Sequence, residues 1–261
     1  MRSLYAIYRK EMGHYFVSPV AYVVVGIFLA LSAFFFNYFV RAVLQQAMQM
    51  EMQDMQMGMS PHLDTTIEVM RAFFGLLSTL ILFLTPMLTM GVFSEERKRG
   101  TMELLMTSPL TEIQIVLGKF LASLTLFAIM LLPTAGYLAF IYLRSDPVPP
   151  WRMLLAGYLG VILLGACLLA LGSFISSLTE NQLIAAVLTF AAFLMVWVID
   201  LGSTAGGGAG TVLQYLSVIR HYDDFSRGII DTSSLVYYGS FIFFFVFLTI
   251  RSVDSMRWRR A

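Results

Sequence analysis

Several groups of side chains in this 261-residue sequence have the types and spacing to do chemistry. The first is a methionine run, Met48, Met50, Met52, Met55, Met57 and Met59, followed by His62. Soft thioethers are the ligands that select Cu(I). The second is His221 beside Asp223 and Asp224, one imidazole with two carboxylates, a sparse version of a zinc set. The third is the glycine-rich stretch from Gly202 to Gly210, whose backbone could cradle a phosphate. The last is the charged string Ser94-Glu95-Glu96-Arg97-Lys98-Arg99-Gly100-Thr101-Met102-Glu103, which runs on to Pro109 and Thr111.

Each has a plainer reading. On a helix, Met48, Met52, Met55 and Met59 fall within about 40° of one line, joined by Leu44. Gln46, Gln49, Gln53 and Gln56 form a second face, and Glu51 and Asp54 a third. An amphipathic helix with a methionine stripe for a protein partner explains those four residues without a metal, though not Met50 and Met57. Loss of Cu(I) binding on Met-to-Leu replacement would favour the metal. His221, Asp223, Asp224 and Arg227 can form a solvated, mutually paired cluster. The glycine run lacks the lysine of a phosphate loop and reads as a flexible connector. Cys167 is the single cysteine, so no intrachain disulfide or Cys-rich metal site is open to this sequence. Among Gly165, Ala166, Gly172 and Ser173 it reads as a small buried hydrophobe. No H-E-x-x-H, G-x-S-x-G or intramembrane Asp pair is present, so no catalytic residue is assigned and no metal site is expected.

The elements that carry these groups belong in lipid. Hydrophobic residues make up 58% of the sequence and charged ones 13%, with 22 Phe and 17 Met. Soluble domains carry about a quarter charged residues, so an ordinary soluble enzyme, a disordered chain and a nucleic-acid binder are excluded. Uncharged runs cover 17–40, 72–93, 120–143, 153–178, 183–199 (201 if carried past Asp200) and 233–250. Each can cross a hydrocarbon core of roughly 30 Å as a helix. The first run has neither the length nor the small-residue cleavage site of a signal peptide.

Basic residues set an orientation with both termini in the cytoplasm. Arg2, Arg9, Lys10, Arg97, Lys98, Arg99, Lys119, Arg251, Arg257, Arg259 and Arg260 fall inside; Arg41, Arg71, Arg144, Arg152, Arg220 and Arg227 fall outside. Residues 1–18 read as an interfacial elbow helix, with Leu4, Ile7, Tyr8, Met12 and Tyr15 on one face and Arg9 and Lys10 on others. Ser18-Pro19 turns the chain into the bilayer. Residues 41–71 and 202–232 then lie outside, 94–112 form a cytoplasmic segment and 251–261 a cytoplasmic tail. Pro86 and Pro133 fall inside spans, where they can act as pivots or simply be tolerated. After Gly100 a very short helix is expected, capped by Thr101, with Glu103 at its positive end and Pro109 stopping it. Presenting Met102, Leu105 and Met106, it cannot stand alone and should rest on the membrane or on a cytoplasmic protein. Thr111 and Gln114 make a capping box for the third span. The 176–182 turn either touches the same protein or is a simple capped turn.

The string EERKRGTMELLMTSPLT resembles the cytoplasmic loop of type-2 ABC exporter permeases. Two further stretches are similar to the gliding-motility-associated and nitrous-oxide-reductase-maturation branch: Lys10-Glu11-Met12 with Tyr15-Phe16-Val17-Ser18-Pro19-Val20-Ala21-Tyr22, and His221 to Asp231. The resemblance implies an all-α polytopic permease without its own ATP site. ATP and Mg would be bound by a separate ABC ATPase, in two copies, beside a second permease. It implies that Glu95, Glu96, Arg97, Gly100, Thr101, Met102, Glu103, Leu104, Leu105 and Pro109 form the ATPase contact. The elbow with Arg9, Lys10, Glu11, Tyr15, Ser18 and Pro19 lies beside it, and the His221–Arg227 stretch belongs to short helices that close the outer side. A bacterial inner membrane is the expected home, and an extracytoplasmic protein partner for the methionine stripe is the further expectation.

Overall fold

The computed structural model describes residues 2–57, 65–107, 110–145, 148–203, 215 and 217–258. Its elements are α1 Arg2–Val17, α2 Pro19–Met57, α3 Thr65–Thr89, α4 Ser94–Lys98 and α5 Thr101–Thr107. These are followed by α6 Glu112–Arg144, α7 Trp151–Leu178, α8 Gln182–Ser203, α9 Val218–Ser226 and α10 Thr232–Trp258. No strand occurs among the described residues. Six helical stretches are long and apolar enough to cross a membrane: Pro19–Gln49, Thr66–Lys98, Glu112–Arg144, Trp151–Leu178, Gln182–Ile199 and Thr232–Met256.

The helices overrun the charge-free runs because polar caps, not the loss of hydrophobicity, set where a helix ends. α6 begins eight residues before the run that marks it. Thr111 accepts from Gln114 N and the Gln114 side chain accepts from Thr111 N, so the capping box is formed. Lys119 is thereby drawn inside the helix. Ser18 is the one non-helical residue between α1 and α2, and Pro19 opens α2, where its missing N–H costs nothing. α2 continues unbroken to Met57, so the stripe positions Met48, Met52 and Met55 lie on a continuation of the first span. α3 and α6 run through Pro86 and Pro133. α3 then stops at Thr89, short of Phe93, and a turn over 90–93 leads into α4.

α7 is the axis of the bundle. Its apolar stretch is 67% buried, those of α3 and α6 are 61%, and those of α2, α8 and α10 fall to 22%, 17% and 22%. Without side chains at Gly157, Gly160, Gly165 and Gly172, α7 lets Phe74, Phe225, Phe127 and Thr89 lie directly against its backbone. Small residues at such contacts are what let helices approach closely in lipid. Cys167 is fully buried in this packing, its thiol 3.7 Å from the Tyr238 carbonyl. α9 closes the bundle at the end remote from α5. Ser217 caps it through Arg220 N, and Val218, Tyr222, Phe225 and Ser226 face inward. The Tyr222 hydroxyl donates to the Phe74 carbonyl at 2.7 Å, and Tyr238 donates to the Val218 carbonyl at 2.8 Å. Tyr222→Phe should cost about 1 kcal/mol, the net worth of one such bond. Faster hydrogen exchange confined to residues 217–226 would show it, and unchanged exchange there would count against the latch.

Candidate functional site

The charged string folds back on itself at the α5 end of the bundle. In α4, Glu95 and Glu96 occupy the first turn and Arg97 and Lys98 the last, matching the helix dipole at both ends. Gly100 then takes φ +70°, the left-handed conformation that glycine adopts without strain, and α5 starts at once. Thr101 does not cap α5 as the sequence suggested. It is the first helical residue, and its hydroxyl donates back to the Glu96 carbonyl at 3.3 Å, tying the two short helices together.

The face of α5 is also the reverse of the one expected. Met102 is buried with Ile7, Val92, Phe93, Ile115, Val116 and Val253, and Leu105 packs partly against the same cluster. Among its described apolar residues, the one turned outward is Leu104, 72% exposed. α5 therefore rests on its own chain through Met102 and Leu105. Glu103 lies in its first turn, and Pro109 falls outside the described residues.

Beneath α5 sits a set of charges that the sequence reading did not bring together. Lys119 of α6 is 2% exposed, in contact with three acceptors. Its ammonium donates to Glu11 Oε1 at 3.1 Å and to the Val92 carbonyl at 2.9 Å, and pairs with Glu96 Oε2 at 3.0 Å. The Phe93 ring lies 5.4 Å away. Lys10, at the rim, donates to Glu96 Oε1 at 3.0 Å and lies 3.6 Å from Glu11. Two ammonium groups thus balance two carboxylates across α1, α4 and α6, as buried charges require. Burial works against the Lys10 charge, but the hydrogen bond and charge of Glu96, with Glu11 adding, outweigh it and raise its pKa above the usual lysine value. Its pairing is therefore intact below that ordinary value and is lost only as pH climbs through the raised one. The signal available in the sequence was a lone lysine within Val116-Leu117-Gly118-Lys119-Phe120-Leu121, which has to find counter-ions inside the fold.

Other residues of α1 frame this cluster. Ile7 sits over Gly118, where a Cβ would come within 2.8 Å of it, and the Tyr8 hydroxyl donates to Thr125 at 3.3 Å. Tyr15 packs half-buried on the main core, while Arg9 is exposed. His14 lies 3.8 Å from Glu95, which also pairs with Arg99 at 2.5 Å. On the opposite side, Ser176 of α7 accepts from Phe93 N and Ser94 N at 3.1 and 3.2 Å. Arg97 donates to the Ser177 carbonyl at 2.7 Å and to Glu180 at 3.2 Å. The 176–182 turn is internally capped, since Asn181 accepts from Leu183 N at 2.9 Å. A cleft of 440 Å³ opens between α5, this turn and the end of α10, lined by Met102, Glu103, Leu178, Glu180 and Met256 among others.

The remaining candidates lie elsewhere. Met48 and Met52 are exposed on α2 in line with exposed Leu44. The Met55 side chain, Met59 and His62 fall outside what is described. His221 stacks on Tyr237 with centroids 4.1 Å apart, and its Nδ1 donates to the Ser217 carbonyl at 2.8 Å. Asp223 pairs with Arg227 at 2.6 Å, and Asp224 is the next residue of α9. Among the described residues no three His, Cys, Asp or Glu side chains converge on a metal position.

The family model described as ABC-2 family transporter protein matches residues 5–251. The chain belongs to this family. It is a multi-pass membrane protein, and family membership implies an ABC ATPase partner in general. No curated protein matches the sequence.

Proposed function

We propose that the chain is the membrane-spanning permease subunit of an ATP-driven ABC-2 transporter of a bacterial inner membrane. A separate ATPase binds ATP and Mg and docks on the α5 end, which faces the cytoplasm. α1 is the elbow and α5 the coupling helix. Two such permeases, identical or related, pair with two ATPases. The closer likeness to the gliding-motility and nitrous-oxide-reductase branch belongs to the same reading. The observation that carries it, within the family, is the outward-facing Leu104 on a helix anchored by Met102, beside an open cleft. This is a preformed knob and hollow that another protein can grip without reorganising the permease. Movement of the docked ATPases rearranges the spans around the α7 axis, and no side chain of this chain does covalent chemistry.

Leu104→Glu should remove an apolar contact and bury a charge in the interface, lowering ATPase association at least tenfold. Since Leu104 is exposed, the permease itself should melt unchanged. Co-purification of the two chains measures this, and undiminished association would overturn the docking assignment.

A second reading keeps the same docking but moves no solute, with ATP-driven force delivered to an extracytoplasmic protein. The exposed Leu44-Met48-Met52 stripe on the overhanging part of α2 favours it. A secondary carrier is disfavoured, because among the described residues the buried charges, Glu11 and Lys119, lie at the α5 end and not at mid-bundle.

A further inference from the structure

Beside the ion cluster an open crevice runs between the end of α1, the start of α2, the 87–92 stretch and the start of α8. One part of it, of 350 Å³, has apolar walls from Val20, Ala21, Val24, Met87 and Leu88, with Gln182 at its edge. The other part, of 470 Å³, is polar and reaches Lys10, Glu96, Thr101 and Lys119. Both are lined by Glu11, His14, Gly91, Glu95 and Arg99, so they form one amphipathic space. Two of the candidate spans begin at its wall, at Pro19 and at Gln182. That is the level at which lipid headgroups meet hydrocarbon. Val24 follows Ser18 along α2, about 9 Å deeper at 1.5 Å per residue. Beyond it the wall continues as exposed apolar side chains, Met87 to Phe83 along α3 and Val20 to Val23 and Ile27 along α2.

The charges at the polar end are presented unequally. The side chains of Lys10, His14 and Arg99 are 58%, 54% and 65% exposed, whereas those of Glu11, Glu95 and Glu96 are 10%, 24% and 14% exposed. A molecule entering the crevice meets N–H donors first, and carboxylates already engaged by Lys10, Lys119 and Arg99. An ammonium carries three N–H groups and a guanidinium five, so these pairings leave donors over. From this we infer that the crevice holds one anionic glycerophospholipid of the leaflet at the α5 end. Its phosphate lies among Lys10, His14 and Arg99, and its first acyl carbons lie against Val20, Ala21 and Met87. Phosphate oxygens suit the guanidinium fork, and each exposed cation near the surface adds to the attraction. A zwitterionic head would bring a further cation into a mouth whose exposed charged groups are already cationic. Neither Leu104 nor the cleft beside it takes part, so the site goes beyond the docking proposal and stands or falls separately.

Native mass spectrometry of the full chain, released from detergent with one added lipid at a time, tests the site. Palmitoyl-oleoyl phosphatidylglycerol should be retained in one copy per chain, about tenfold more tightly than phosphatidylcholine with the same acyl chains. Diacylglycerol, which keeps the chains and lacks the phosphate, should not be retained. Glycerol 3-phosphate, which keeps the phosphate and lacks the chains, should not displace the lipid. Arg99→Gln should cut the preference for phosphatidylglycerol to about threefold or less. Gly91→Leu should abolish retention by filling the neck shared by the two parts. Gly91 is not among the glycines with positive φ, and a Cβ there would meet only the ends of Glu95 and Gln182, at 3.4 and 3.6 Å. Equal retention of the two phospholipids, or retention of diacylglycerol, would reduce the crevice to a greasy surface and overturn the inference. Displacement by glycerol 3-phosphate would make it a site for free phosphate esters and overturn the lipid. An Arg99→Gln variant with the wild-type preference would overturn the placement of the head. If Gly91→Leu does not fold, the headgroup comparison and Arg99→Gln decide the matter.

Discussion

Lys119→Met alone is expected to destabilise the protein by about 3–5 kcal/mol, the usual cost of removing one partner from a buried ion cluster. Methionine fills much of the same volume, so lost packing contributes little. The cost comes from Glu11 and Glu96, left buried with the ammonium gone, and from the Val92 carbonyl, which loses its donor. Lys10 reaches both carboxylates but is itself largely exposed, and compensates only in part. Adding Glu11→Gln to Lys119→Met should therefore recover stability, so that a second mutation improves on the first. Thermal melting of the detergent-solubilised protein, followed by the loss of monodisperse material, gives both values. A Lys119→Met variant within about 1 kcal/mol of wild type would place the pair in the range of exposed salt bridges and sink the argument. The Asp223–Arg227 pair is the internal control. It is shorter, at 2.6 Å, but its side chains are 52% and 54% exposed, so Arg227→Gln should cost about 1 kcal/mol or less. Burial, not distance, ranks the two.

How far the sequence led differs from residue to residue. The membrane class, the spans, the break at Ser18-Pro19 and the capping box at Thr111 were legible, because each follows from local chemistry within a few residues. The orientation of α5 was not. A seven-residue helix with Met102, Leu105 and Met106 on one side reads the same whether that side faces a partner or its own chain. Only the arrival of Ile7, from the other end of the sequence, and of Val253 decides it. Lys119 was passed over for a related reason. Counting uncharged runs treats a charge as the end of a span, whereas the capping box had already placed α6 seven residues earlier. Its counter-ions lie 108 positions away at Glu11 and in a different helix at Glu96, separations that periodicity cannot read. The small residues of α7 were visible as a packing face, but the partners they admit, Phe225 and Thr89 among them, were not.

The packing of α7 gives the second large expectation, and it turns on sign. In a helix interior alanine is favoured over glycine by about 1 kcal/mol, so a Gly→Ala change should stabilise wherever there is room. Gly136 of α6 has open space around it, and Gly136→Ala should leave stability unchanged or raise it. At Gly172 a Cβ would stand 2.3 Å from Thr89 Oγ1 and 2.8 Å from Thr89 Cβ. Thr89 cannot swing away, since it is fully buried and its hydroxyl is held by the Thr85 carbonyl at 3.1 Å. The two helices must separate, and overpacking of that kind costs about 1–3 kcal/mol, which exceeds the helix-propensity gain. Gly172→Ala should therefore lower the melting temperature while Gly136→Ala does not. Combining Gly172→Ala with Thr89→Gly, which removes the clashing atoms, should show a favourable coupling between the two sites. If Gly172→Ala proved as harmless as Gly136→Ala, the close approach of α3 to α7 would be wrong. The bundle would then lack the contact that holds the end of α3, just past Pro86, against its axis.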